Sequence, residues 1–309
     1  MTGRIRPVDL LVAGYNLVLL AVWLRLAGQA WYVPLLGGLH AAAAGAPFLP
    51  WARRRGRSDG AEFGAFVLWR ELYPLLCLAA FWSELGLLHR LAPGAAYDAQ
   101  VSRMDLAIFG QHLNLIWMPA MPSLVLSEVM HFSYFLYYPL VFLPPLLMVL
   151  ARRLDAARDM TLRLMATYLA CYLWYLAFPV IGPAELLPHY EGPLTHGLFY
   201  GLTHAARAAG DSLGTAFPSS HVAGATTVAV LAWRWLSKPV ALLVTVQAAG
   251  VLCATVYTQN HYAVDSLAGL VWALGVQLVL VPATQRVPDT RPVPVLPVYP
   301  ATITTGSGA

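Results

Sequence analysis

The chain has 309 residues, of which 59% are hydrophobic and 11% charged, with a mean hydropathy of +0.61. Soluble domains carry roughly a quarter charged residues, so a water-covered surface of this size is excluded. The net charge of +4 does not point to nucleic acid, because the basic residues cluster in short loops between segments that are apolar on every face, the mark of membrane spans.

Stretches of about 20 apolar residues predict eight spans, at 8–27, 31–50, 65–89, 126–150, 162–181, 218–236, 239–257 and 262–282. The opening Met1-Thr-Gly-Arg-Ile-Arg6 runs into the first span with no small-residue cleavage site, and reads as a membrane helix rather than a signal peptide. The expected fold is an all-α polytopic transmembrane bundle. Residues 1–90 form accessory N-terminal helices, 91–284 the main membrane domain and 285–309 a disordered, Pro-rich cytoplasmic tail.

With eight spans the basic clusters share one side: Arg4 and Arg6, Arg53 to Arg57, Arg152 to Arg163, Arg234 and Lys238, and Arg286 and Arg291. That side is the cytoplasm. The opposite loops hold only Arg25, Arg90, Arg103 and Arg207, and two of them, 90–125 and 182–217, are long. Cys77, Cys171 and Cys253 lie in apolar stretches and form no disulfide or metal pattern. No metal or cofactor is expected.

Two elements carry chemistry, and the topology puts both at the outer surface. Ala216-Phe-Pro-Ser-Ser-His-Val-Ala-Gly224 opens the sixth span, with a helix expected from Pro218. Its free amides around Ser219, Ser220 and His221 make an anion site, the two serines add hydroxyl donors, and His221 can give a proton to a leaving oxygen. Thr258-Gln-Asn-His-Tyr-Ala-Val-Asp-Ser-Leu-Ala-Gly269 opens the eighth span. His261 and Asp265, four apart, are expected on one helical face, the carboxylate fixing one ring nitrogen and freeing the other as a nucleophile.

Pro218-Ser-Ser-His221 and His261-Tyr-Ala-Val-Asp265 resemble the second and third motifs of the type 2 phosphatidic acid phosphatase (PAP2) superfamily. The His-Tyr-x-x-Asp form, the stretch Glu128-Val-Met-His-Phe-Ser-Tyr-Phe-Leu-Tyr-Tyr-Pro139, and Phe178-Pro179 with Gly182-Pro183 resemble its Aur1-like inositolphosphotransferase branch. The resemblance covers roughly residues 100–282. It implies phosphoryl transfer on a lipid phosphate or phospholipid. His261 would form a phosphohistidine, Asp265 orient it, His221 protonate the leaving alcohol, and Ser219 and Ser220 hold the phosphoryl oxygens. The family's first motif, a Lys and an Arg-Pro pair, is absent, and Ala254-Thr255 stands where Ser-Arg is common. Arg207 and Arg103 are the outer-loop candidates for the missing cationic clamp. Glu128 and His131 are candidates for a head group, against the alternative of a structural polar pair. Hydrolysis and transfer share this architecture. A transporter or scaffold with a degenerate site is the rival reading. The site is expected on the extracytoplasmic face of a bacterial-type plasma membrane.

Overall fold

A long apolar segment in lipid must satisfy its own backbone amides, and the α-helix does this locally. The computed structural model describes residues 5–49, 65–94 and 96–280, and these are helical apart from loops and one isolated bridge between Val180 and Thr215. In chain order the helices are α1 (Pro7–Arg25), α2 (Val33–Gly45), α3 (Ala65–Leu91), α4 (Asp98–Phe109), α5 (Leu113–Ala120), α6 (Leu124–Phe135), α7 (Tyr137–Leu150), α8 (Leu154–Ala177), α9 (Leu198–Gly210), α10 (Ser220–Trp235), α11 (Lys238–Tyr257) and α12 (Ala263–Gly275). The last continues into a π-helical turn, Val276–Leu280. The expected tail at 285–309 and the basic residues at 53–57, 286 and 291 lie outside the described residues.

Each expected span coincides with a helix or an adjoining pair. By length and composition α1, α3 and α11 can each cross a membrane, and α6 with α7, bent by 41° at their junction, make up to a fourth. The helices α2, α10 and α12 are shorter, and α8 carries Asp155, Arg158, Asp159 and Arg163 in its first turns. The fourth expected span thus corresponds to two helices joined at a bend rather than to one straight helix.

One network of ion pairs gathers at one end of the bundle. Arg6 pairs with Asp9 at 2.8 Å and with Glu71 at 2.9 Å, and Arg158 pairs with Glu71 at 2.8 Å. Asp159 pairs with Arg163 and with Arg234, each at 2.9 Å. These contacts join the early turns of α1, α3 and α8 to the last turn of α10. The far end of α8 leads to Val180, whose amide and carbonyl bond Gly214 and Ala216 just ahead of α10. The start of α10 and this ion-pair network thus lie at opposite ends of α8.

The N-terminal helices share the core of the rest. Tyr15, Leu19 and Trp23 of α1 pack into the same buried cluster as Phe81 and Leu85 of α3 and Tyr172 and Tyr175 of α8. In the centre α10 packs on α8, α11 and α12. Leu242, Leu243, Val246, Val271 and Leu278 are exposed on α11, α12 and the π turn, a surface that suits acyl chains rather than water.

Candidate active site

The segment before α10 sets the first half of the site. The helix begins at Ser220 rather than at the expected Pro218, which lies two residues before it and is joined to Phe217 by a cis peptide bond. Ser219 takes the cap position instead, its Oγ accepting from the Val222 amide at 3.4 Å, because a short hydroxyl there satisfies a helix amide that proline cannot. The Ser219 amide does not point outward as expected. It donates to the Asp265 carbonyl at 3.0 Å and so ties α10 to α12. The amides of Ser220 and His221 sit in the first turn, where no intrahelical acceptor exists. Ser219 and Ser220 are both buried.

The second half comes from the turn between α11 and α12. The amides of Asn260 and His261 both donate to the Thr255 carbonyl, at 3.1 and 3.0 Å, with Gln259 at φ 62°. His261 therefore precedes α12 rather than lying on its face, because the orphan carbonyls of α11 hold the turn closed. The expected pairing is still made: Asp265 Oδ2 lies 3.4 Å from His261 Nδ1 and accepts from the Tyr262 amide at 2.9 Å. One carboxylate thus caps α12 and orients the imidazole, leaving Nε2 as the free ring nitrogen.

The two halves meet. The His221 and His261 rings are T-shaped, with centroids 5.7 Å apart. Both rings line a cavity of about 30 Å³ together with Trp82, Tyr134, Asp211 and Asn260. His221 also lines an aromatic cleft of about 240 Å³ bounded by Tyr138, Phe142 and Tyr172. Its Nε2 is 3.1 Å from the Tyr134 hydroxyl, and its Nδ1 is buried without a partner.

Residues 99–279 match the PAP2 superfamily. The chain belongs to that superfamily. No curated relative and no solved structure matches it. Membership carries phosphatase-type phosphoryl transfer as the general chemistry, and the matched region contains both histidines and Asp265.

Around this candidate site the remaining expected residues are scattered. Arg207 lies beside the aromatic cleft, yet its guanidinium is held by Glu185 at 2.5 Å and Asp211 at 2.9 Å. Burial works against the Arg207 charge, but the hydrogen bond and charge of Asp211 and the charge of Glu185 outweigh it and hold its pKa above the ordinary value. Glu128 accepts from the amides of Phe199 and Tyr200 at 3.1 and 3.2 Å, fixing the start of α9. His131 is fully buried against Tyr200, its Nδ1 donating to the Ser127 carbonyl at 2.7 Å. Arg103 is exposed on α4. Arg103, Glu128 and His131 line neither the cavity nor the cleft. Among the described residues no group of three or more His, Cys, Asp or Glu is placed to hold a metal.

Two contributors escape the sequence. Tyr134 stands one turn after His131 in the Glu128 to Pro139 stretch, and its spacing was the available signal. Asp105 carries no signal at all. It is fully buried, accepts from the Val264 amide at 3.0 Å and from His112 Nδ1 at 2.8 Å, and so pins the start of α12 to α4.

Proposed function

We propose that this protein is a membrane enzyme that cleaves or transfers the phosphoryl or phospho-head group of a lipid through a phosphohistidine on His261. The observation that carries the reading is the pair of facing imidazoles, one oriented by Asp265 and the other by Tyr134. His261 attacks phosphorus. His221 protonates the departing oxygen and then takes the proton of the incoming nucleophile. The first-turn amides of α10, with the positive end of its dipole, face the developing charge. Asp265 keeps the His261 tautomer and offsets its charge as the N–P bond forms.

Transfer to a second lipid or polyol, the inositolphosphotransferase-like outcome, is favoured by the aromatic cleft, which gives an acceptor chain room beside His221. Eight crossings, with the site on the extracytoplasmic face of the plasma membrane, belong to the same proposal, an orientation supported by the basic residues at the opposite end of α8.

The test uses purified protein with a phospholipid donor and a lipid acceptor. Release of free phosphate identifies a phosphatase, and a new phospholipid species a transferase. His261→Ala should abolish turnover and the acid-labile phosphohistidine. No turnover and no labelling of His261 in the parent protein would leave the transporter or scaffold reading standing. A reporter at residue 217 or 260 that reads cytoplasmic would overturn the orientation.

A further inference from the structure

Apart from the two histidines and the Tyr134 hydroxyl bound to one of them, several polar side chains of the small cavity present acceptors. Asn260 is 6% exposed, so it is more than nine-tenths buried. Thr258 Oγ1 donates its only proton to the Ala254 carbonyl at 2.8 Å, and can therefore only accept from Asn260, 2.7 Å away. That contact orients the amide. Its nitrogen is on Thr258, and Oδ1 is left as a buried acceptor with no partner, on a residue that lines the cavity. Such an atom costs about 1–3 kcal/mol until a donor arrives.

Two hydroxyls repeat the pattern. Thr215 donates to the Ser212 carbonyl at 2.5 Å, and Ser212 donates to the Trp82 carbonyl at 2.9 Å. Both oxygens keep only lone pairs for a ligand. Glu185 and Asp211 also line the cavity, while among the described residues no Lys or Arg does. These two carboxylates share Arg207, so the group carries one negative charge in excess. Trp82 and Tyr134 complete the wall with aromatic rings, which favour a cation.

We infer that the head group received here bears a primary ammonium, so that the substrate is a zwitterionic phospholipid of the phosphoethanolamine type. This rests on the phosphohistidine reading and names its substrate class. An ammonium brings N–H donors to Asn260 and positive charge to Glu185 and Asp211. A trimethylammonium group has no N–H to give. A phosphate monoester would set further negative charge against the carboxylates. A polyol offers donors without the charge. In the reaction the Nε2 lone pair of His261 forms the N–P bond, and the bond from phosphorus to the diacylglycerol oxygen breaks. That oxygen takes its proton from His221. Water or an acceptor hydroxyl then displaces the imidazole, giving its proton to His221.

The experiment offers the full-length protein, in mixed micelles, four donors with the same acyl chains: phosphatidylethanolamine, phosphatidylcholine, phosphatidylinositol and phosphatidic acid. Diacylglycerol release and the phosphoester on His261 are read for each. Phosphatidylethanolamine should turn over about tenfold faster than the others. In the double variant Glu185→Gln, Asp211→Asn, Arg207 is freed and the preference should fall to within about twofold, with phosphatidic acid gaining. A faster rate on any other donor in the parent protein overturns the inference, as does an unchanged preference in a double variant that melts like the parent. Labelling of His261 by the wrong donor refutes only the head-group assignment. No labelling by any donor refutes the phosphohistidine reading beneath it.

Discussion

Asp105 is the severest test of how the site is held, because it touches no reacting group. Its carboxylate is fully buried, with one oxygen on the Val264 amide at 3.0 Å and the other on His112 at 2.8 Å. A hydrogen bond to a charged group contributes about 1.5–3 kcal/mol, and a carboxylate at a helix N-terminus about 0.3–1 kcal/mol, up to about 2 when partly buried. Asp105→Ala removes both bonds, strands the Val264 amide and leaves a void, which together predict a loss of about 3–5 kcal/mol. Asp105→Asn keeps an acceptor for Val264 and loses the charge, for a loss of about 1–2 kcal/mol. Since α12 carries Asp265 in its first turn, a shift of its start moves the His261 orienter as well. Turnover should fall in the same order, by about tenfold in Asp105→Asn and further in Asp105→Ala. Equilibrium unfolding in mixed micelles and initial rates at saturating lipid measure the two effects. Stability within about 0.5 kcal/mol of the parent in both variants, with parental rates, would refute the pinning of α12 by α4.

Three further expectations follow from single contacts. Tyr134→Phe deletes the hydroxyl 3.1 Å from His221 Nε2 and should lower kcat about tenfold with little change in KM; an unchanged kcat removes Tyr134 from the mechanism. A Cβ at Gly269 would overlap the Ser219 carbonyl oxygen and sit 3.2 Å from Val222 Cβ. Gly269→Ala should therefore push α12 from α10 at a cost of about 1–3 kcal/mol, and a parental melting temperature with parental activity would show that these helices do not pack this closely. The His204 imidazole on α9 is pushed down to about 4 by burial and by the neighbouring His131, Arg207 and His189. The unfolded chain takes up that proton near 6.5, so between the two values the unfolded state binds more protons. The contribution is complete above 6.5 and fades as pH falls toward 4. The melting temperature should drop less between pH 7 and 5 in His204→Gln than in the parent, and equal slopes would exclude His204 as the source.

Much of the molecule was legible in the chain. Uniformly apolar stretches leave the backbone no partner but itself, so their helicity needs no tertiary information. Basic clusters are confined to alternate loops, so the opposition between the charged end and the His221 and His261 end followed from one dimension. The Asp265 to His261 pairing was readable because only four residues separate them, although the turn at Thr255 delivers it instead of a helical face.

What the sequence could not settle was which distant polar groups share a wall. Glu128 and Arg207 were both reasonable substrate contacts as isolated charges at helix ends. Packing gave the first to the amides of α9, and gave the second to Glu185 and Asp211. Asp105 reaches Val264 across 159 positions, and Tyr134 reaches His221 across 87, separations for which no local periodicity exists. Local hydrogen bonding and hydropathy act over a turn of helix and are written in the sequence. The pairing of buried polar groups is decided by which helices close against each other, and only the folded bundle specifies that.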